Sequence, residues 1–228
     1  MERPNLRVPE ITEEDKQNIA ELLKVFYDET YITGDDYQTK ECVLEWCRVN
    51  KLPVTTLFDL LKSSIYNGEW SCFRAFCHQY EIGTSTNEKL ALRWYKIAAA
   101  NNDSFAANQI GWFYQNGLSI PPNDEKGIKY FKKSAREGHP HGCSNLGHAY
   151  CWGVSVPKNK YSAFYWYVRA AETGYPSACE YVAKCYHIGS GCVKDQHEFL
   201  KWKMRRERRL EEIENIKKKA KKSSTTNL

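Results

Sequence analysis

Histidine and cysteine are the residue types here whose spacing could do chemistry. His139, His141 and His148 lie close in sequence to Cys143 and Cys151, and His148 and Cys151 are three apart, so they share one face of any helix that carries them. That set suggests zinc. Tetrahedral zinc needs four donors at ~2.0–2.3 Å, and only two can be placed together, because His78 and His187 lie elsewhere along the chain. A Cys-His nucleophile would need an orienting third group and an oxyanion donor, and no residue can be named for either role. Nine cysteines is an odd count with no C-x-x-C pair, which fits neither a complete disulfide framework nor a zinc ribbon. There is no Gly-rich phosphate loop, no H-R-D and no D-F-G. The expectation is reduced thiols, no catalytic residue, no metal and no cofactor.

The elements that carry these residues come from a repeat. Shifting the sequence by 36 residues aligns Gly111 with Gly147, Tyr114 with Tyr150 and Tyr186, Gly117 with Gly153 and Gly189, and Gly138 with Gly174. The same shift aligns Ala106, Gly142 and Ala178, and stacks Trp94-Tyr95, Tyr130-Phe131 and Trp166-Tyr167, with Trp202 following. Each unit reads as two helices. A small or apolar residue recurs at helical spacing before a glycine suited to a left-handed C-cap, and a second periodic run follows a polar loop. Asn123, Asn159 and Asp195 are expected N-caps of the second helices. In the first unit Tyr80 and Gly83 are taken as the counterparts of Tyr114 and Gly117, two residues closer, which predicts a shorter loop. That spacing places Cys72 with Ala106, and Cys77 with Gly111 and Gly147 in a column where small side chains let paired helices approach. A single hairpin of this size cannot bury its apolar face, so the units must stack. The fold expected is all-α, a right-handed α-solenoid of helix-turn-helix repeats.

N-Q-I-G-W-F-Y-Q-N-G at 108–117, N-L-G-H-A-Y-C-W-G-V at 145–154 and Y-W-Y-V-R-A-A-E-T-G-Y-P-S-A at 165–178 resemble Sel-one-like repeats, relatives of the tetratricopeptide repeat. The arrangement is similar to fungal members with a helical lead-in. The resemblance implies an adaptor or scaffold without chemistry of its own. A bacterial cysteine-rich branch of that family joins cysteines eight residues apart. Cys143 and Cys179 hold the second of those positions here, but Ala135 and Ala171 stand at the first. The pattern is half absent, which suits a reducing compartment.

Residues 1–9 are expected to be disordered, 10–66 a helical N-terminal region, 69–207 four repeats, and 208–228 a basic helix and tail. Thr12 with Asp15 resembles a capping box ahead of the stripe Ile19, Leu22, Leu23 and Phe26. Val43, Trp46 and Cys47 mark a second helix ended near Pro53, and Leu57, Leu60, Leu61 and Ile65 a third. Thr30–Gln38 is read as loop. These helices either dock on the first repeat or form a small domain of their own. The last repeat helix is expected to run to about Lys222, roughly 40 Å, with a weak seam of Leu210, Ile213, Ile216 and Ala220 and a disordered Ser223–Leu228.

The 228 residues are 42% apolar and 27% charged, which excludes a disordered or collagenous chain. No run approaches the ~18 apolar residues of a membrane span, and a cytoplasmic location is expected. The net charge of +5 is concentrated in residues 194–228, where 12 Lys or Arg face 6 Asp or Glu. That tail, with Lys203-Met204-Arg205-Arg206 and Lys217-Lys218-Lys219, reads either as a solvated helix or as a nuclear-import or nucleic-acid element. Partner binding is expected on the side of the first helices opposite Ala106, Ile110 and Tyr114, lining a concave groove for a protein or peptide. The candidates there are Arg74, Asn108, Ser144 and Glu180 in one column, His78, Trp112, His148 and Lys184 in another, with Gln115 beside them and Trp152 at the rim. Trp112 either anchors a partner or packs on a neighbouring repeat. The function expected is a non-catalytic scaffold; the alternatives are a nuclear factor working through its tail and an enzyme activator.

Overall fold

The computed structural model describes residues 12–32, 36–63 and 70–226, which form eleven helices and no strand among the described residues. Three lead-in helices, α1 (Glu13–Ile32), α2 (Asp36–Val49) and α3 (Val54–Ser63), precede four hairpins. The hairpins are α4 (Ser71–Tyr80) with α5 (Glu88–Ala100), α6 (Ser104–Asn116) with α7 (Asp124–Arg136), α8 (Pro140–Trp152) with α9 (Lys160–Glu172), and α10 (Pro176–Ile188) with α11 (Gln196–Thr226). The stretch Thr30–Gln38, expected as loop, is helical at 30–32 and at 36–38. α11 continues through Ser223–Thr226, where a disordered tail was expected. Ile65, residues 1–9 and the side chains of Ile216 and Ala220 lie outside the described residues.

Local chemistry sets the hairpins. Asn87, Asn123 and Asn159 accept through Oδ1 from the N–H of Leu90, Lys126 and Ser162 at 3.0, 2.8 and 3.0 Å. Asp195 does the same for His197 and Glu198 at 2.8 and 3.0 Å. Each of these four residues also donates its own N–H to the preceding helix, to the carbonyls of His78, Tyr114, Tyr150 and Tyr186 at 2.8–3.0 Å. The first helices end in left-handed residues at Glu81, Gly117, Gly153 and Gly189.

The first unit is thereby in the same 36-residue frame as the others, and its loop is not shorter. Glu81, not Gly83, holds the cap, because the hydrogen bonds from Ile82 N–H to the Cys77 carbonyl and from Asn87 N–H to the His78 carbonyl fix the loop length while the cap residue is free to vary. The small-residue column is Ala75, Gly111, Gly147 and Ala183, and Cys77 belongs with Phe113. A methyl group on Gly111 would lie 2.5 Å from the Phe131 ring, and one on Gly147 2.6 Å from Tyr167. Those glycines set how closely α6 meets α7 and α8 meets α9. Tyr114, Tyr150 and Tyr186 occupy equivalent, half-buried places. The thiols of Cys143 and Cys179 donate to the carbonyls of Ala135 and Ala171, eight residues earlier, at 3.6 and 3.8 Å.

The lead-in shares the core of the first two units. The α1 stripe of Ile19, Leu22 and Phe26 is buried, and the Phe26 ring meets those of Phe73, Phe76 and Phe105 at 5.1, 5.0 and 5.6 Å. Tyr27 donates to Asp103 Oδ2 at 2.6 Å, while Asp103 Oδ1 caps α6 by accepting from Ala106 N–H at 2.7 Å. Asp36 on α2 accepts from Tyr80 and from Gln109, the latter at 3.0 Å. Asp103→Ala is expected to cost about 1–2 kcal/mol as a lost cap, and Tyr27→Phe about 1 kcal/mol. In a urea-denaturation double-mutant cycle the two losses should fall short of adding, since they share one hydrogen bond; full additivity would mean that the bond contributes nothing.

α3 takes the place of a repeat's second helix. A methyl on Gly191 would lie 2.1 Å from the Lys160 carbonyl oxygen and 2.9 Å from Phe164 Cβ; on Gly83 it would lie 2.1 Å from the Val54 oxygen and 2.9 Å from Phe58 Cβ. Phe164 meets Tyr186 edge-on at 5.2 Å and 88°, and Phe58 meets His78 at 5.1 Å and 88°. The stack thus begins half a unit before the sequence repeat is visible. No helix among the described residues is long and apolar enough to cross a membrane.

Candidate functional site

The first helices α4, α6, α8 and α10 neighbour one another. Asn145 on α8 donates to Asn108 on α6 at 2.9 Å, and the His148 ring on α8 meets Tyr181 on α10 at 4.6 Å. A first helix is therefore enclosed by its own second helix and by the units before and after it. The helical wheel of an isolated hairpin misses that enclosure, and three candidates expected at the surface are buried: His78, Asn108 and Ser144. Register corrects two more placements. Arg74 and His78 lie in the frame positions of Ile110 and Tyr114, not in those of Asn108 and Trp112. Arg74 is half-buried with its guanidinium 4.0 Å over the Trp94 ring, and His78 packs on Phe58.

The remaining candidates reach solvent to different extents. His148 is half-buried, its Nδ1 3.1 Å from the Tyr167 hydroxyl, and burial lowers its pKa. Glu180 pairs with Lys184 at 2.6 Å and with Arg206 of α11 at 3.4 Å, and these partners hold its carboxyl below the usual range. Gln115 and Lys184 are exposed. Trp112 is 39% exposed, edge-on to Phe113, and Trp152 is 71% exposed. Ile188, which the sequence reading did not single out, is 69% exposed. It stands 36 residues after Trp152, so the repeat arithmetic could have found it. Trp112, Trp152 and Ile188 therefore put one uncovered apolar side chain on each of three successive first helices.

Burial acts on several of the groups that looked reactive. Burial pushes the thiols of Cys47 and Cys143 up to about 11 and that of Cys185 up to about 12. Such thiols stay protonated at neutral pH and are poor nucleophiles. His139 and His141 meet each other at 5.4 Å and the rings of Phe105 and Tyr175 at 5.8 and 4.7 Å, and burial lowers both pKa values. Among the described residues no three His, Cys, Asp or Glu are grouped so as to hold a metal ion. Arg205 and Arg206 of the basic run are engaged by the fold. Arg205 lies 4.9 Å from the Trp202 ring and donates to the Glu172 carbonyl, while Arg206 pairs with Glu180.

The family described as Sel1 repeat matches at residues 72–103, 104–139, 140–175 and 176–202. These segments follow the 36-residue frame seen in the hydrogen bonds. A Sel1 repeat protein from Oxalobacter formigenes superposes with a TM-score of 0.60 at 20% identity, over 87% of this chain and 76% of that one. A protective antigen present in uropathogenic Escherichia coli strains, displaying an SLR fold, superposes with a TM-score of 0.65 at 17% identity, over 90% of this chain. The chain spans 49% of that antigen's length. At these identities the likeness is one of fold. No curated protein matches the chain in sequence.

Proposed function

The chain belongs to the Sel1 repeat family, and from that premise we propose that it is a non-catalytic scaffold whose stacked first helices form a concave groove for a protein or peptide partner. One observation carries the reading. Trp112, Trp152 and Ile188, at 39%, 71% and 69% exposure, are the large apolar side chains that consecutive first helices leave in contact with solvent. Large apolar side chains held at the surface by a rigid framework are the type that anchors a partner. His148, Gln115, Lys184 and Glu180 would supply the polar rim. Arg74, His78, Asn108 and Ser144 then act from below, by holding neighbouring helices in place. The nine unbridged thiols suit a reducing compartment such as the cytosol.

The mechanism is rigid display: stacking fixes the spacing of the anchors, so the partner meets a preformed surface and little ordering cost falls on the scaffold. Trp152→Ala is expected to leave stability within about 0.5 kcal/mol of the parent, as for an exposed side chain, and to weaken partner capture at least tenfold. The check is quantitative affinity capture from the cells that make the protein, parent against Trp112→Ala and Trp152→Ala, with thermal melts alongside. Undiminished capture by the double variant would remove the groove from consideration, and equal loss of melting temperature and capture by Trp112→Ala would make Trp112 a core residue.

A further inference from the structure

The repeat frame exposes a second surface, at the far end of the stack. In each unit one position of the second helix is covered by the first helix of the next. Leu92 and Ile128 there are 5% and 3% exposed, and Phe164 is edge-on to Tyr186. Leu200 of α11 holds the same position and is 47% exposed, with Met204, one turn on, at 58%.

At 100° per residue, Glu207, Glu211 and Glu214 lie within about 40° of Leu200 on the wheel of α11. All three are exposed, and only Glu214 has an ion-pair partner among the described residues, Lys218 at 3.3 Å. Trp202, Arg205, Arg206, Arg209 and Ile213 occupy the opposite face, turned toward α9 and α10. Arg206 and Arg209 are half-buried on that inner side, while the outward side shows two apolar residues followed by Glu207, Glu211 and Glu214, with Lys203 flanking them and Lys218 beyond.

We propose that this face docks a helix of another protein, lying antiparallel to α11 as the first helix of a further repeat would. The contacting face of that helix carries Lys or Arg in its N-terminal turns, opposite Glu214, Glu211 and Glu207, and apolar residues in its C-terminal turns, opposite Met204 and Leu200. Charge complementarity selects this occupant. A second copy fits poorly: in an antiparallel pair of α11 helices centred on Glu207, that residue would meet its own copy and Leu200 would meet Glu214, and only Glu211 would gain an opposite charge, Lys203. The surface is separate from the groove, and the proposal does not depend on it.

The test uses the full chain and two fluorescein-labelled, stapled helical peptides. One carries three lysines and then two leucines along a single face, and the other has the lysines replaced by glutamates. Fluorescence anisotropy should show the lysine peptide binding at least tenfold tighter, although the +5 chain would by non-specific attraction prefer the glutamate one. Leu200→Asp with Met204→Asp should reduce binding at least tenfold, and Glu207→Lys with Glu211→Lys should invert the preference, each with an unchanged melting temperature. Trp152→Ala should bind the lysine peptide like the parent. Equal affinity for the two peptides, or a preference indifferent to the glutamate substitutions, overturns the proposal. So does a dimer in sedimentation velocity that Leu200→Asp with Met204→Asp dissolves, since it would assign the face to a second copy.

Discussion

Gly191→Ala and Gly83→Ala will each lower unfolding free energy by about 2–5 kcal/mol. Two causes act at both sites. The backbone is left-handed, with φ of +74° and +65°, which costs an L side chain roughly 1–2 kcal/mol. The added methyl would also lie 2.1 Å from a carbonyl oxygen at the start of α9 for Gly191 and of α3 for Gly83, and overpacking of that kind costs typically 1–3 kcal/mol. The obstacle is main chain, so no rotamer change relieves it. The same frame position holds Ser119 and Ser155 in the two middle units, also left-handed at φ +55° and +50°. There Ser→Gly is expected to be neutral or to stabilise by up to about 1 kcal/mol. Urea-denaturation midpoints of the four variants test this directly. Equal losses at Gly83 and Gly191 are what α3 acting as a repeat helix requires; a harmless Gly83→Ala would leave the solenoid starting at α4.

Acid will destabilise the fold between about pH 6.5 and pH 4, before most carboxylates titrate. His139 is fully buried and its pKa is well below the ordinary value, and burial lowers His141 to about 4. Below about pH 6.5 the unfolded chain takes up protons at these sites that the folded chain refuses. Stability is therefore complete above the unfolded pKa and declines as pH falls toward the folded one. For His141 alone the full window is worth about 3 kcal/mol. The ring faces Tyr175 and His139, so His141→Phe keeps an aromatic there and should flatten the pH dependence of stability by about one proton. Thermal melts from pH 7 to pH 4 provide the measurement, and an unchanged slope in His141→Phe would show that His141 is not what couples folding to pH.

Much of the architecture was legible before any coordinates. Recurrence of Tyr114, Tyr150 and Tyr186 and of Gly117, Gly153 and Gly189 at 36 residues gave the hairpins, because a left-handed cap and a pinned loop each favour few residue types. The first unit misled for the same reason. Its cap is Glu81, a residue no cap rule would choose, and Gly83 nearby offered a false match two residues out of step. Trp152 was recognisable as an exposed aromatic and Ile188 was overlooked, since an isoleucine does not announce itself as surface.

Periodicity and turn chemistry are local properties, so the amino-acid order alone was enough to specify helices, caps, repeat length and an all-α stack. Which faces those helices would bury was not local. Asn108 and Ser144 are enclosed by a neighbouring unit that no single hairpin reveals. α3 completes a repeat without resembling one, and α11 half-buries Arg206 and Arg209 while Glu207 and Glu211 stay exposed, because one of its sides leans on α9 and α10. Burial is a property of how many neighbours a helix has, and that number exists only once the stack is assembled.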